Sequence, residues 1–207
     1  MSDDTRYLIP AGRHRVEQEV QRSRFLTTVE PVASAEEARA FVARVSAELP
    51  DANHHCWAFV VGPPGSTASV GMSDDGEPHG TAGRPMLTAL LHGGVGDIAA
   101  VVTRWFGGEL LGKGGLVRAY TGGVQQALAQ LPTREKVRKV ELAFVLDYAS
   151  VAGVRRLLPA HEATALSEDY AEAVRYRVEL PASRAEALRT ALRDLTHGSV
   201  QWLEDVP

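Results

Sequence analysis

Cysteine is almost absent: Cys56 is the only one in 207 residues. A lone thiol excludes an internal disulfide framework and a zinc site built on paired cysteines. Long apolar runs are also missing. Cysteine aside, none exceeds five residues, as at 57–61 and 98–102, so no segment reads as a membrane span. Positive charge is not in surplus. There are 22 basic and 26 acidic residues, a net charge of −4, split as 11 against 14 through residue 130 and 11 against 12 after it. Neither part has the basic excess of a typical duplex-DNA binder. The first residues, Met1-Ser2-Asp3-Asp4, are acidic and carry no apolar stretch, so no secretory signal is visible and a cytoplasmic location is expected. No fixed-period repeat and no low-complexity tract occurs. Hydrophobic residues at 44% and charged residues at 23% belong to a soluble globular protein.

Glycine is plentiful but uneven: ten of the 19 fall between Gly93 and Gly123. The apolar helical pattern stops near Leu131-Pro132-Thr133, and the charged stretch 134–139 follows. A short linker is expected there, dividing the chain into domains at 1–132 and 137–207.

The first part reads as mixed strand and helix. Strands are expected at 24–32, 54–61, 67–72 and 97–106. Ser34-Ala35-Glu36-Glu37 is a capping box, with Ser34 accepting the amide three residues on and Glu37 reaching back. Ala38, Phe41, Val42, Val45 and Leu49 follow at helical spacing. Pro85 sits near the start of a second helix marked by Met86, Leu87, Leu90 and Leu91, and Leu116 to Leu131 mark a third.

The second part alternates Val140, Leu142, Phe144 and Leu146, as a half-buried strand does. A helix follows at 151–158, then a hairpin turning at Glu168-Asp169, a helix at 183–195 closed by Gly198, and a last strand at 200–203. This β-α-β-β-α-β order is that of a ferredoxin-like split βαβ unit.

Two segments concentrate chemistry. The first, 73–85, holds Ser73, Asp74, Asp75, Glu77, His79, Thr81 and Arg84. Carboxylates this close could bind a divalent cation through Asp74, Asp75 and Glu77, or share protons as an acid/base pair. The same residues also suit a turn that caps the next helix. The second segment runs from Arg104 and Trp105 through Gly107, Gly108, Gly112, Lys113, Gly114 and Gly115 to Arg118. A glycine-rich turn entering a helix lets backbone amides converge on an anion, and Arg104, Lys113 and Arg118 add charge. Positions 107–113 fit G-x-x-x-x-G-K, but Gly114 stands where a P-loop needs a hydroxyl for magnesium. A helix packed too closely for any side chain demands the same glycines, and both readings stay open.

Aromatic residues are only 6% of the chain, so stacking candidates are few. Trp57 and Phe106 are expected in the core. Trp105 alternates with Phe106 and is the stacking candidate if its face is open. His54, His55 and Cys56 allow a Cys-His nucleophile pair, but Cys56 begins an apolar strand, where an inert buried thiol is commoner. His54 and His55 point to opposite faces of a regular strand. No G-x-S-x-G elbow and no H-E-x-x-H site occurs.

Ser23-Arg24-Phe25, His54-x-Cys56, Ser73-Asp74-Asp75-Gly76-Glu77-Pro78 with Gly80-Thr81-Ala82-Gly83-x-Pro85, Thr103-Arg104-x-Phe106-Gly107-Gly108, and Leu111-Gly112-x-Gly114-Gly115-Leu116-x-Arg118-Ala119-Tyr120 together resemble the YigZ/IMPACT family over roughly residues 20–131. The second part is similar to the C-terminal domain of bacterial members in element order and location. The resemblance implies an α+β protein of two domains. The first would be an α/β sandwich like domain 2 of ribosomal protein S5, the second a βαββαβ ferredoxin-like domain similar to domain V of elongation factor G. It implies RNA, the ribosome or translation components as partners, and it implies no secure enzymatic activity. His79 departs from a serine usual in the family, Trp105 from a tyrosine, and His55 from a frequent asparagine.

The expected function is therefore a non-catalytic binding protein whose glycine-rich loop, with Arg104, Lys113 and Arg118, holds RNA phosphates, with no cofactor beyond a divalent cation. The alternative is a metal-assisted hydrolase using Asp74, Asp75 and Glu77 on a small phosphorylated or peptide-like substrate. A protein-interaction adaptor is a third reading.

Overall fold

The computed structural model describes residues 6–203. The acidic start Met1-Ser2-Asp3-Asp4 and the outermost ends of both expected domains lie outside that range. The chain divides into two compact units, one of Tyr7–Lys136 and one running from Val137 and including Arg6.

In the first unit the elements run β1 (Arg6–Pro10), β2 (His14–Val20), β3 (Ser23–Pro31), α1 (Ala35–Glu48), β4 (His54–Val61), β5 (Ser69–Ser73), α2 (Gly83–His92), β6 (Ile98–Trp105), α3 (Gly112–Gln130) and β7 (Thr133–Val137). Five strands form one sheet in the order β2-β3-β6-β4-β5, and every neighbouring pair is antiparallel. Strand parity sends side chains to two separate cores. Cys56, Ala58, Val60, Ile98, Ala100 and Val102 pack under α2 and α3. Phe59, Ala99 and Val101 pack under Ala38, Phe41 and Val45 of α1. With both faces covered, β6 reads as a continuous apolar run rather than an alternation, and Ile98 through Arg104 are all buried.

Local chemistry accounts for the element ends. The Ser34 hydroxyl accepts the Glu37 amide at 3.1 Å, and the Glu37 carboxylate reaches back to the Ala33 amide at 2.7 Å, one residue beyond the bond expected. Such a cap stabilises a helix by about 1 kcal/mol. The β2–β3 hairpin turns through Gln21 and Arg22, both at positive φ, the geometry of a two-residue I′ turn.

Three strands were not foreseen. β2 is an edge strand that buries only Val16, so its pattern is weak. β1 and β7 form a separate two-stranded sheet, and β7 occupies the stretch expected as a linker. The buried Asp97 carboxylate fastens this sheet, accepting from the Gly62 amide at 2.7 Å, the Tyr7 hydroxyl at 2.8 Å and the Lys136 ammonium. A charged pentapeptide thus becomes a strand through one buried acid.

The second unit contains β8 (Lys139–Leu146), α4 (Val151–Ala160), β9 (Thr164–Tyr170), β10 (Val174–Pro181), α5 (Ala185–Leu195) and β11 (Gln201–Leu203). Its four-stranded antiparallel sheet has the order β11-β8-β10-β9. Leu142, Phe144 and Leu146 are buried as their alternation predicts, with Phe144 stacked on Tyr176 at 5.5 Å. The hairpin turn lies at 171–173, later than expected. Glu168 and Asp169 are strand residues, and Glu168 accepts from Arg155 at 2.7 Å.

Candidate functional site

The acidic segment joins β5 to α2, and each of its carboxylates has a different protein partner. Asp74 accepts the amides of Gly80 (2.8 Å), Ala82 (3.0 Å) and Gly83 (2.8 Å). It therefore caps α2 from a distance, because the N-cap residue, Ala82, has no side chain able to do so. Burial pushes this carboxyl up, but the three amides outweigh it and hold Asp74 below its ordinary range. Gly83 is required here, since a Cβ would lie 2.8 Å from the Ser73 backbone. Asp75, at φ 42°, accepts the His55 amide at 2.6 Å, and its own amide donates to Ser73 Oγ at 3.1 Å. Thr81 is buried and donates to the Pro78 carbonyl at 2.6 Å, whereas His79 is fully exposed. Arg84 lies on a different groove, between α2 and α3.

Glu77 turns inward. Its side chain is 3% exposed, and Oε1 accepts both Arg104 Nη1 at 2.6 Å and the Tyr120 hydroxyl at 2.7 Å. Arg104 also donates through Nη2 to Ser23 Oγ at 3.3 Å, while its buried Nε has no partner among the described residues. This network corrects two expectations. Arg104 is not a free phosphate ligand but a buried strut that locks β6, the acidic loop and α3 together. Nor do the carboxylates of Asp74, Asp75 and Glu77 converge on a cation, because each is drawn to its own donor. Among the described residues no three His, Cys, Asp or Glu side chains are grouped to hold a metal.

Cys56 is buried beneath the same network and donates to the Asp74 carbonyl at 2.9 Å. Burial first, and then the nearby carboxylates, push its thiol up to about 12 against the hydrogen bond to Tyr120. Such a thiol is no nucleophile at neutral pH.

The glycines of the second segment divide between the two readings left open above. Gly107 is there for packing: a Cβ would meet the Arg22 carbonyl at 2.1 Å. Its amide donates to Ser23 Oγ at 3.2 Å. Gly115 is similarly close to Leu111, at 2.9 Å. Gly108 and Gly112 instead have open surroundings and positive φ, 85° and 68°, which serves the turn. Gly114 has only the Arg118 guanidinium near it, at 3.7 Å. The helix that follows begins without a side-chain cap and without an acid in its first turn. Its leading amides and dipole are left uncompensated by any carboxylate of that turn.

That helix start faces a cleft of about 530 Å³, within the range of ligand sites. Gly76, Glu77 and Pro78 of the acidic loop line it together with Arg104, Lys113 and Phe106. The two motif segments therefore meet. Arg118 lies on the adjoining hollow of about 310 Å³, with Gly115, and Leu111 borders both spaces. No ion pair engages Lys113 or Arg118 among the described residues.

The aromatic assignments are reversed. β6 ends at Trp105, and Phe106 leaves the sheet with 46% of its surface exposed rather than entering the core. Its ring lies 5.6 Å from the Arg104 guanidinium at the cleft. Trp105 is on the opposite sheet face, away from the cleft. There its indole donates to Asp51 at 3.0 Å, and Arg24 covers the ring at 4.5 Å. Trp57 is half-buried and stacks on Phe59 at 5.9 Å. Sequence reasoning also passed over His54, Asn53, Leu110 and Leu111 as cleft residues. Strand parity could have found His54, which shares the face of Cys56 and Ala58. Asn53 could not have been found, since it enters only by accepting the Phe106 amide at 2.7 Å.

A two-domain α+β protein with an α/β first unit and a ferredoxin-like second unit is thus established, and its polar motifs share one cleft. Two family models divide the chain in the same way. The Impact N-terminal domain matches residues 21–128, and a domain of unknown function, DUF1949, matches residues 144–199. The chain is 46% identical over 95% of its length to IMPACT family member YigZ of Escherichia coli (strain K12), covering 97% of that protein. It is 40% identical over 96% of its length to an IMPACT family member of Haemophilus influenzae, again covering 97% of it. A crystal structure of a hypothetical protein superposes with a TM-score of 0.71 at 45% identity, covering 98% of both chains. The chain belongs to the IMPACT family.

Proposed function

We propose that the first unit binds single-stranded RNA, alone or within the ribosome, through the cleft at the start of α3. The observation that carries this reading is the meeting of three features in one space. They are an uncapped helix start, Lys113, which has no ion pair among the described residues, and the exposed ring of Phe106. Helix amides and a lysine ammonium suit a phosphate, and an aromatic face suits an unstacked base. Arg118 extends the positive surface past Leu111 into the neighbouring hollow. The net charge of −4 means that attraction comes from this local patch and not from the whole surface. No cofactor enters the reading, and it places the protein in the cytoplasm, where translation components are found.

Fluorescence anisotropy with labelled single-stranded RNA of about eight nucleotides tests it. Lys113→Ala should weaken binding and flatten the salt dependence by about 0.7 of a log unit per decade, the share of one phosphate on a single strand. Phe106→Ala should cost about 1–3 kcal/mol with the salt slope unchanged. Absence of binding at about 50 mM salt, or full affinity in both variants, would reject the site.

A further inference from the structure

His54 opens β4 on the sheet face shared with Cys56, Ala58 and Val60, and so turns toward α3 rather than α1. Its Nδ1 lies 2.8 Å from the Asp75 carbonyl oxygen. A carbonyl can only accept, so Nδ1 carries the proton, and the neutral tautomer this bond selects has Nε2 as its acceptor. Gly76 lies beside the ring, where an added Cβ would sit 3.4 Å from both Cε1 and Nδ1. No hydrogen bond among the described residues uses Nε2.

This fixed acceptor lines the same cleft as Lys113, Phe106 and the start of α3. Its polar neighbours are mostly donors or already occupied. Lys113 and the leading amides of α3 are donors, and the Nε of Arg104 is a donor buried out of reach. Asn53 Oδ1 is taken by the Phe106 amide, and Glu77 Oε1 by Arg104 and Tyr120. A phosphate brings only acceptors and has nothing to offer a neutral Nε2. A ligand that engages Nε2 as well as the anion site must therefore carry a donor. In a ribonucleotide the sugar joins base to phosphate, and its 2′-hydroxyl is a donor present whatever the base. We infer that His54 Nε2 accepts the ribose 2′-hydroxyl, so that the cleft selects RNA over DNA. This rests on the RNA reading above.

The experiment compares one sequence as RNA, DNA and 2′-O-methyl RNA, with wild type, His54→Ala, His54→Gln and Lys113→Ala. Wild type should favour RNA over the other two by about three- to tenfold, the worth of one neutral hydrogen bond. His54→Ala should bring RNA down to the DNA level and leave DNA unchanged. His54→Gln, which keeps an acceptor oxygen, should restore part of the preference. Lys113→Ala should weaken RNA and DNA alike. Equal binding of RNA and DNA by wild type overturns the inference while the binding site stands. So does an equal loss on both sugars in His54→Ala, which would mark a structural role. A base amine read by His54 would give the same equal loss, since the base is present on both sugars, and would overturn it likewise. If wild type binds none of the three strands, this inference and the RNA reading fall together.

Discussion

Replacing Glu77 tests how the two motif segments are held together. The carboxylate and the Arg104 guanidinium are 3% and 6% exposed, and one oxygen accepts both Arg104 and Tyr120. Glu77→Ala leaves a buried guanidinium without its counter-charge and a buried phenol without its acceptor. Removing one member of a buried ion pair costs about 3–5 kcal/mol. The Tyr120 bond adds less than its separate worth, since both bonds share the same oxygen. A loss of that size is a large fraction of a domain's total stability. It corresponds to a fall in Tm on the order of 10 °C for the first unit. Glu77→Gln keeps the shape and one acceptor oxygen and should lie between wild type and Glu77→Ala. The double variant Glu77→Leu with Arg104→Met removes both charges together. It should recover most of the loss, because desolvation of the pair roughly offsets its attraction. Urea unfolding read by hydrogen exchange at amides of β6 and α3 isolates this unit, since a two-domain chain need not unfold in one step. A loss below about 1 kcal/mol in Glu77→Ala would refute the strut, being the scale of an exposed pair. So would a double variant no more stable than that single one.

Two further outcomes concern the same loops. Asp74 is depressed by its amide partners, so its contribution is complete above the unfolded value, near 3.8, and is lost as the pH falls through the lower folded value. The gap in Tm between wild type and Asp74→Asn should therefore be constant near neutrality and close on acidification; a gap unchanged throughout would refute the cap. Gly107→Ala and Gly114→Ala should have opposite signs in a thermal melt. The first drives a Cβ to 2.1 Å from the Arg22 carbonyl, whereas the second meets nothing closer than the Arg118 guanidinium at 3.7 Å. Gly114→Ala should gain about 0.5–1 kcal/mol from helix propensity, and equal losses in both would refute this division of the glycines.

Much of the architecture was legible because the determining contacts are local. Ser34 and Glu37 cap a helix within five residues, and the alternation of Leu142, Phe144 and Leu146 names its own buried face. The strands that escaped notice lack such signals. β2 buries a single valine, and β7 is a charged stretch made into a strand by pairing with β1 and by Asp97, 39 residues before Lys136 in the chain.

The site divides along the same line. Spacing alone marked 73–85 and 104–118 as the places where polar groups, glycines and a helix start concentrate, since those are properties of consecutive residues. Which groups face solvent was decided elsewhere. Arg104 is turned inward by Glu77, 27 residues away, and Phe106 is freed because β6 stops one residue before it. His54 is held by a carbonyl 21 residues on. A sequence displays charge and aromatic character, but the partner that buries a charge, or the strand end that exposes a ring, exists only once distant segments are packed together.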